Sequence, residues 1–129
     1  MAIQKIMMVD DEPHIRRIGE LSLRGVGKWT VVLAGSGREA IDLARREQPD
    51  VILLDVMMPG MDGPATLAEL RDSKETEAIP VIFLTAKAQR HEVERYRQLG
   101  AAGVLTKPFD PMTLPDEVRG IVELRGATR

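Results

Sequence analysis

The chain has 129 residues, 43% hydrophobic and 29% charged, with a formal net charge of −2 and no cysteine. That length predicts one domain burying roughly two thirds of its unfolded surface; the weak charge excludes bulk attraction to nucleic acid or an anionic membrane, and the absent cysteines exclude a disulfide frame or thiolate metal site. Residues 1–5 carry no signal-like apolar stretch and no window approaches the ~20 apolar residues of a membrane span, so a soluble, cytoplasmic chain is expected.

Ile6, Met7, Met8 and Val9 read as a central strand buried on both faces, ending at Asp10 and Asp11. Pro13 suits the first turn of a helix, where its missing N–H costs nothing. Ile15, Ile18, Leu21 and Ser22 give that helix its inward stripe, with Gly25 and Gly27 as its stop. Residues 29–34 form a second strand, with Trp29 as an edge anchor at its start. Ser36 and Glu39 predict a capping box, opening a helix that turns Ala40, Ile41 and Ala44 inward and ends before Pro49. A third strand closes at Asp55 and turns on Pro59, Gly60 and Gly63. The next helix begins near Pro64 and shows Leu67 and Leu70, followed by a polar loop at residues 73–78. Residues 80–85 form the fourth strand, ending in Thr85. Val93, Tyr96 and Leu99 mark a helix that Gly100 terminates. Residues 103–106 are the fifth strand, followed by Lys107 and Pro108. The last helix starts best with Thr113 as cap and Pro115 inside the first turn. Gly120 weakens its middle by up to ~1 kcal/mol relative to Ala. A short, comparatively soft helix to about residue 124 is predicted, then a tail at residues 126–129.

Strict alternation of strand and helix implies an α/β domain whose parallel sheet is covered on both faces. Open sheets of this kind bind ligands at the C-terminal ends of their strands, where this chain puts Asp10, Asp11, Asp55, Thr85 and Lys107. A carboxylate can attack a phosphoryl group to form an acyl phosphate, with a hard cation neutralising oxygen charge in the transition state. Asp11 and Asp55 supply carboxylates for Mg²⁺ and Asp10 can hold a coordinated water. Lys107 can pair with phosphoryl oxygens as a compact charge, and Thr85 can hydrogen-bond one of them. Each residue alone has an ordinary reading: a helix-capping Asp, an Asx turn, a solvated loop lysine, a strand-end threonine. Their coincidence at four ends of one sheet carries the functional reading. His14 and His91 read as solvent-facing helix residues, and Met7, Met8, Met58 and Met61 as core filler.

That constellation resembles the receiver domain of bacterial two-component response regulators, of the stand-alone, chemotaxis-regulator-like kind. The matching segments are Val9-Asp10-Asp11-Glu12, residues 53–63 around Asp55, Leu84-Thr85-Ala86 and Thr106-Lys107-Pro108-Phe109, in the family's order and spacing and across nearly the whole chain. The resemblance implies a flavodoxin-like three-layer sandwich over residues 1–125, with strand order 2-1-3-4-5 and five helices. It implies that Asp55 accepts a phosphoryl group from a sensor histidine kinase or phosphotransfer protein. Mg²⁺ would be held by Asp10, Asp11, Asp55 and the Met57 carbonyl, and the phosphoryl group by Thr85, Ala86 and Lys107, with a cis peptide before Pro108. A downstream protein would read the face formed by the fourth helix, fifth strand and fifth helix, in a monomer or a weak phosphorylation-dependent dimer. The chain would make no direct nucleic-acid or membrane contact, and would catalyse only its own phosphorylation and dephosphorylation. Met57 and Lys87 flank the mouth of the site and could tune hydrolysis. Many receivers carry an inward aromatic residue three positions before the lysine; here that position is Val104. Two other functions compete for these residues. A Mg²⁺-dependent phosphatase with an Asp nucleophile commonly carries a second Asp where Met57 stands, and a phosphorylation-independent interaction module would leave the acidic pair, Thr85 and Lys107 without a purpose.

Overall fold

The computed structural model describes residues 2–127. Among them five strands, β1 (Lys5–Val9), β2 (Thr30–Ala34), β3 (Val51–Asp55), β4 (Val81–Thr85) and β5 (Gly103–Thr106), alternate with five helices, α1 (Pro13–Leu21), α2 (Gly37–Glu47), α3 (Gly63–Arg71), α4 (Arg90–Gln98) and α5 (Leu114–Ala127). Every strand pairing is parallel, in the order β2-β1-β3-β4-β5. This is the flavodoxin-like sandwich that the resemblance implies, built on the parallel sheet that the alternation predicts. β3 and β4 are buried along their whole length, as strands covered on both faces must be. The two-residue period of a strand divides the core in two. Met7, Ile52, Leu54 and Phe83 pack with residues of α2, α3 and α4, whereas Ile6, Met8, Leu53, Ile82 and Leu84 pack with Leu23 and α5. Asp50 fixes the register at the opposite edge, its Oδ2 accepting the N–H groups of Gln4 and Lys5 at 2.9 Å each.

The helices follow their capping signals, with instructive departures. Ser36 caps α2 by accepting the Glu39 N–H, but the Glu39 carboxylate takes the N–H of Gly35 rather than that of Ser36. Asp62 caps α3 in the same manner, and Pro64 sits in its first turn. Gly100 ends α4 with φ +108°, as predicted.

The first helix differs from expectation. It does not stop at Gly25 but continues as a π-helical turn, Ser22–Val26, and its left-handed residue is Lys28. Gly27 is required for space: a Cβ there would lie 2.5 Å from the Leu23 carbonyl. Ile18 and Leu21 are exposed, at 42% and 59%, rather than part of an inward stripe. The helix makes its closest approach at Gly19, where a Cβ would overlap the Met8 sulfur, and the wider π turn then swings Leu23 into the core. Leu99 is likewise exposed, because Tyr96 alone anchors α4. At 14 residues α5 is not short but the longest helix described. Thr113 immediately precedes it and the buried Pro115 lies in its first turn, as the sequence reading requires. Gly126 and Ala127 extend α5 rather than forming a tail, while Thr128 and Arg129 lie outside the described residues.

Candidate functional site

The strand order reverses at β1 and β3, so the connections leaving these strands run to opposite faces of the sheet and open a crevice at their C-terminal ends. Asp10 follows β1, Asp55 ends β3, Thr85 ends β4 and Lys107 follows β5. Four local sequences thus deliver four polar groups to one edge.

Asp10 is fully buried and held from several sides. Its N–H donates to the Ala34 carbonyl at 3.1 Å and its Oδ1 accepts the Glu12 N–H at 2.9 Å. Lys107 Nζ reaches 2.8 Å from Asp10 Oδ2 and 3.2 Å from Asp55 Oδ1, bridging both carboxylates. Apart from this contact with Lys107, Asp10 Oδ2 has no partner among the described residues. Burial, and after it the charge of Asp10, pushes the Asp55 carboxyl above its ordinary value; Lys107 and the Met57 N–H only partly offset this. Burial also disfavours the Lys107 ammonium, but close pairing with Asp10 and attraction to Asp55 outweigh it and hold Lys107 above the ordinary lysine value.

Carboxylate oxygens of Asp10, Asp11 and Asp55 lie within 4.8 Å of one another. Three hard oxygen donors, one of them buried with Lys107 as its one partner among the described residues, fit a Mg²⁺ ion, whose charge would relieve the same congestion that raises Asp55. The structure brings together Asp10, Asp11, Asp55 and Lys107 as the sequence predicts. Thr85 is buried beside them, its Oγ1 accepting the Lys87 N–H at 3.1 Å. Ala86 shares an apolar hollow with Ile15, Ile18, Lys107, Pro108 and Phe109. The Lys107–Pro108 peptide is cis, as expected. The Met57 side chain is 77% exposed, and its N–H points to Asp55 Oδ1 at 3.4 Å. Lys87, His14 and His91 are exposed, and Val104 is half-buried against the core.

Sequence reasoning missed two supports of the site. Arg16 donates from Nη1 to the Asp10 carbonyl at 2.7 Å; a cation one helical turn into α1 was the only available signal. Gly63 lies where a Cβ would come within 2.7 Å of the Asp55 carbonyl and 2.8 Å of Val56 Cα, so α3 can start directly beneath the site.

The doubly wound sheet and its edge cluster of carboxylates and lysine define a class of α/β domain whose chemistry lies at the switch point. The family model for the response regulator receiver domain matches residues 6–119. The chain is 41% identical over 119 residues to a protein named probable transcriptional regulator ycf27 of Cyanophora paradoxa, covering 92% of this chain and 48% of that one. It is 34% identical over 123 residues to response regulator Rre1 of Synechocystis, covering 95% and 53%. Among solved structures, chemotaxis protein CheY4 of Vibrio cholerae superposes with a TM-score of 0.85 at 32% identity, covering 93% of this chain and 99% of that one. The chain belongs to the response regulator receiver domain family of two-component signalling. It spans about half the length of the curated relatives it matches.

Proposed function

We propose that the protein is a phosphorylation-activated switch in which Asp55 accepts a phosphoryl group from the phosphohistidine of a sensor histidine kinase or phosphotransfer protein in the cytoplasm. The observation that carries this reading is the bridging of Asp10 and Asp55 by one lysine at the strand edge, where carboxylate oxygens of Asp10, Asp11 and Asp55 lie within 4.8 Å of one another. An Asp55 carboxylate oxygen attacks phosphorus, and the P–N bond breaks as the P–O bond forms. Asp10, Asp11, Asp55 and the Met57 carbonyl would hold Mg²⁺, which neutralises oxygen charge during transfer. Lys107 exchanges its contact with Asp55 for one with the new phosphoryl oxygens, joined by the Thr85 hydroxyl and the Ala86 N–H. Exposed Met57 and Lys87 control the approach of water and so the lifetime of the acyl phosphate. The domain turns over no external substrate: no second Asp stands two residues after Asp55, where Met57 lies. Its output is a downstream protein reading the α4–β5–α5 face, through a monomer or a weak phosphorylation-dependent dimer, with no direct nucleic-acid contact by these residues. The half-buried Val104, where many relatives have an aromatic, favours one second reading, a phosphorylation-independent interaction module.

Incubation with Mg²⁺ and acetyl phosphate, read by intact mass beside Asp55→Asn, tests this. One added phosphoryl group in the wild type alone is expected. An unmodified wild type that also fails to bind beryllofluoride refutes the switch and favours the interaction module.

A further inference from the structure

Asp10 and Asp11 can act as a pair only if the turn leaving β1 is fixed, because a small rotation there would swing both carboxylates. Two restraints lie in the turn itself: the Asp10 N–H donates to the Ala34 carbonyl, and the Glu12 N–H donates to Asp10 Oδ1. A third comes from a side chain remote from the chemistry. Arg16, half-buried in α1, sends Nη1 back to the Asp10 carbonyl at 2.7 Å. The opposite wall of its slot is Gly35, where a Cβ would sit 3.1 Å from Nη1. The Gly35 N–H is itself tied to the Glu39 carboxylate at 2.6 Å, so the β2–α2 turn cannot drift away from the guanidinium. Among the described residues Arg16 pairs with none of the site carboxylates, and its bond ends on the main chain between the two acidic residues.

We infer that Arg16 is a positioning residue for the cation site, clamping the Asp10 carbonyl so that Asp10 and Asp11 present their oxygens to Mg²⁺ together with Asp55. The inference rests on the proposed reading of the site as a Mg²⁺-dependent phosphoacceptor. Positioning and simple electrostatics predict opposite signs. A guanidinium near an acidic cluster repels a dication, so its removal should tighten Mg²⁺ binding if charge were its only effect. Loss of a group that orients metal-ligating side chains instead weakens metal binding, typically by about tenfold or more.

Calorimetric titration of MgCl₂ into wild type, Arg16→Met, Arg16→Lys and Asp55→Asn separates these cases, each protein first shown to unfold cooperatively in metal-free buffer. The expected result is a Kd about tenfold weaker in Arg16→Met. Arg16→Lys should lie within roughly threefold of wild type, because only one N–H is used and an ammonium can supply it. Wild type that binds Mg²⁺ with Arg16→Met equal or tighter would overturn the positioning role alone. Wild type and Asp55→Asn that are alike in showing no Mg²⁺ binding would overturn the phosphoacceptor reading, and Arg16's role with it.

Discussion

Replacing Asp55 by Asn should stabilise the metal-free protein. Lys107 Nζ lies 3.2 Å from Asp55 Oδ1, an attraction of about 5 kcal/mol at an effective dielectric near 20. Against it stands Asp10, with a carboxylate oxygen within 4.8 Å, a repulsion of at least about 3.5 kcal/mol on the same scale. Burying the carboxylate adds several kcal/mol more. The balance is unfavourable, as the raised proton affinity of Asp55 records. Asn keeps the shape and removes the charge, while Lys107 stays paired with Asp10 at 2.8 Å. A gain of about 1–2 kcal/mol follows, or roughly 3–8 °C in Tm for a domain of this size. The sign in pH agrees. A carboxyl raised above the ordinary 3.8 binds its proton more tightly in the folded state, so the Asp55 contribution to wild-type stability is greatest below about pH 4 and falls as pH rises through the folded value. Asp55→Asn should lack that fall. Urea unfolding in EDTA, followed by the buried Trp29, measures both. Saturating Mg²⁺ should then reverse the ranking, since a ligand at 100 times its Kd adds about 2.7 kcal/mol to the form that binds it. Destabilisation of Asp55→Asn by more than about 1 kcal/mol in EDTA would refute this account of the site's charges.

Lys107→Met should destabilise by about 2–4 kcal/mol in urea, because two buried carboxylates lose their shared cation. The Lys107 contribution is complete below the ordinary 10.5 and fades as pH rises through the higher folded value, so an alkaline titration should narrow the gap between the two proteins. Gly63→Ala should lower the urea midpoint by the equivalent of about 1–3 kcal/mol, since its Cβ meets backbone atoms that cannot rotate away. Gly120→Ala should raise stability by about 0.5–1 kcal/mol, the position being exposed in α5 with nothing within 4 Å of a Cβ.

The sequence makes the site legible because each of its groups follows a strand run that only a buried strand explains, and the parallel topology gathers strand ends by itself. Asp10, Asp55, Thr85 and Lys107 needed no knowledge of packing. Arg16 did, because its role is a bond to main chain across a turn, and an arginine on a helix near Arg17 has the same composition whether it clamps or is solvated. The α1 stripe failed for a related reason. Ile15, Ile18 and Leu21 satisfy a helical period, but the π turn at Ser22–Val26 breaks the phase and Gly19 lets the helix press onto Met8 instead. Pro115 and Gly120 suggested a short last helix through local propensity, yet Leu114, Val118 and Val122 are buried in one stripe, and that tertiary burial sustains 14 residues.

The output side turns on where the aromatic rings stand. Val104 on β5 pairs in register with Phe83 on β4, so an aromatic at residue 104 would have flanked that ring. Here the second ring comes from the other direction. Tyr96, which alone anchors α4, meets Phe83 edge to face with centroids 5.0 Å apart, an arrangement worth about 0.5–1.5 kcal/mol beyond its buried area. Phe83 and Thr85 are two residues apart on one strand and so share a face. Under the proposed switch, a displacement of Thr85 would act on the sheet face where Phe83 meets Tyr96 of α4, without a side chain from β5 turning over. In the proposed switch Val104 would remove one moving side chain from this face, while the Phe83–Tyr96 contact still joins β4 to the helix beside it.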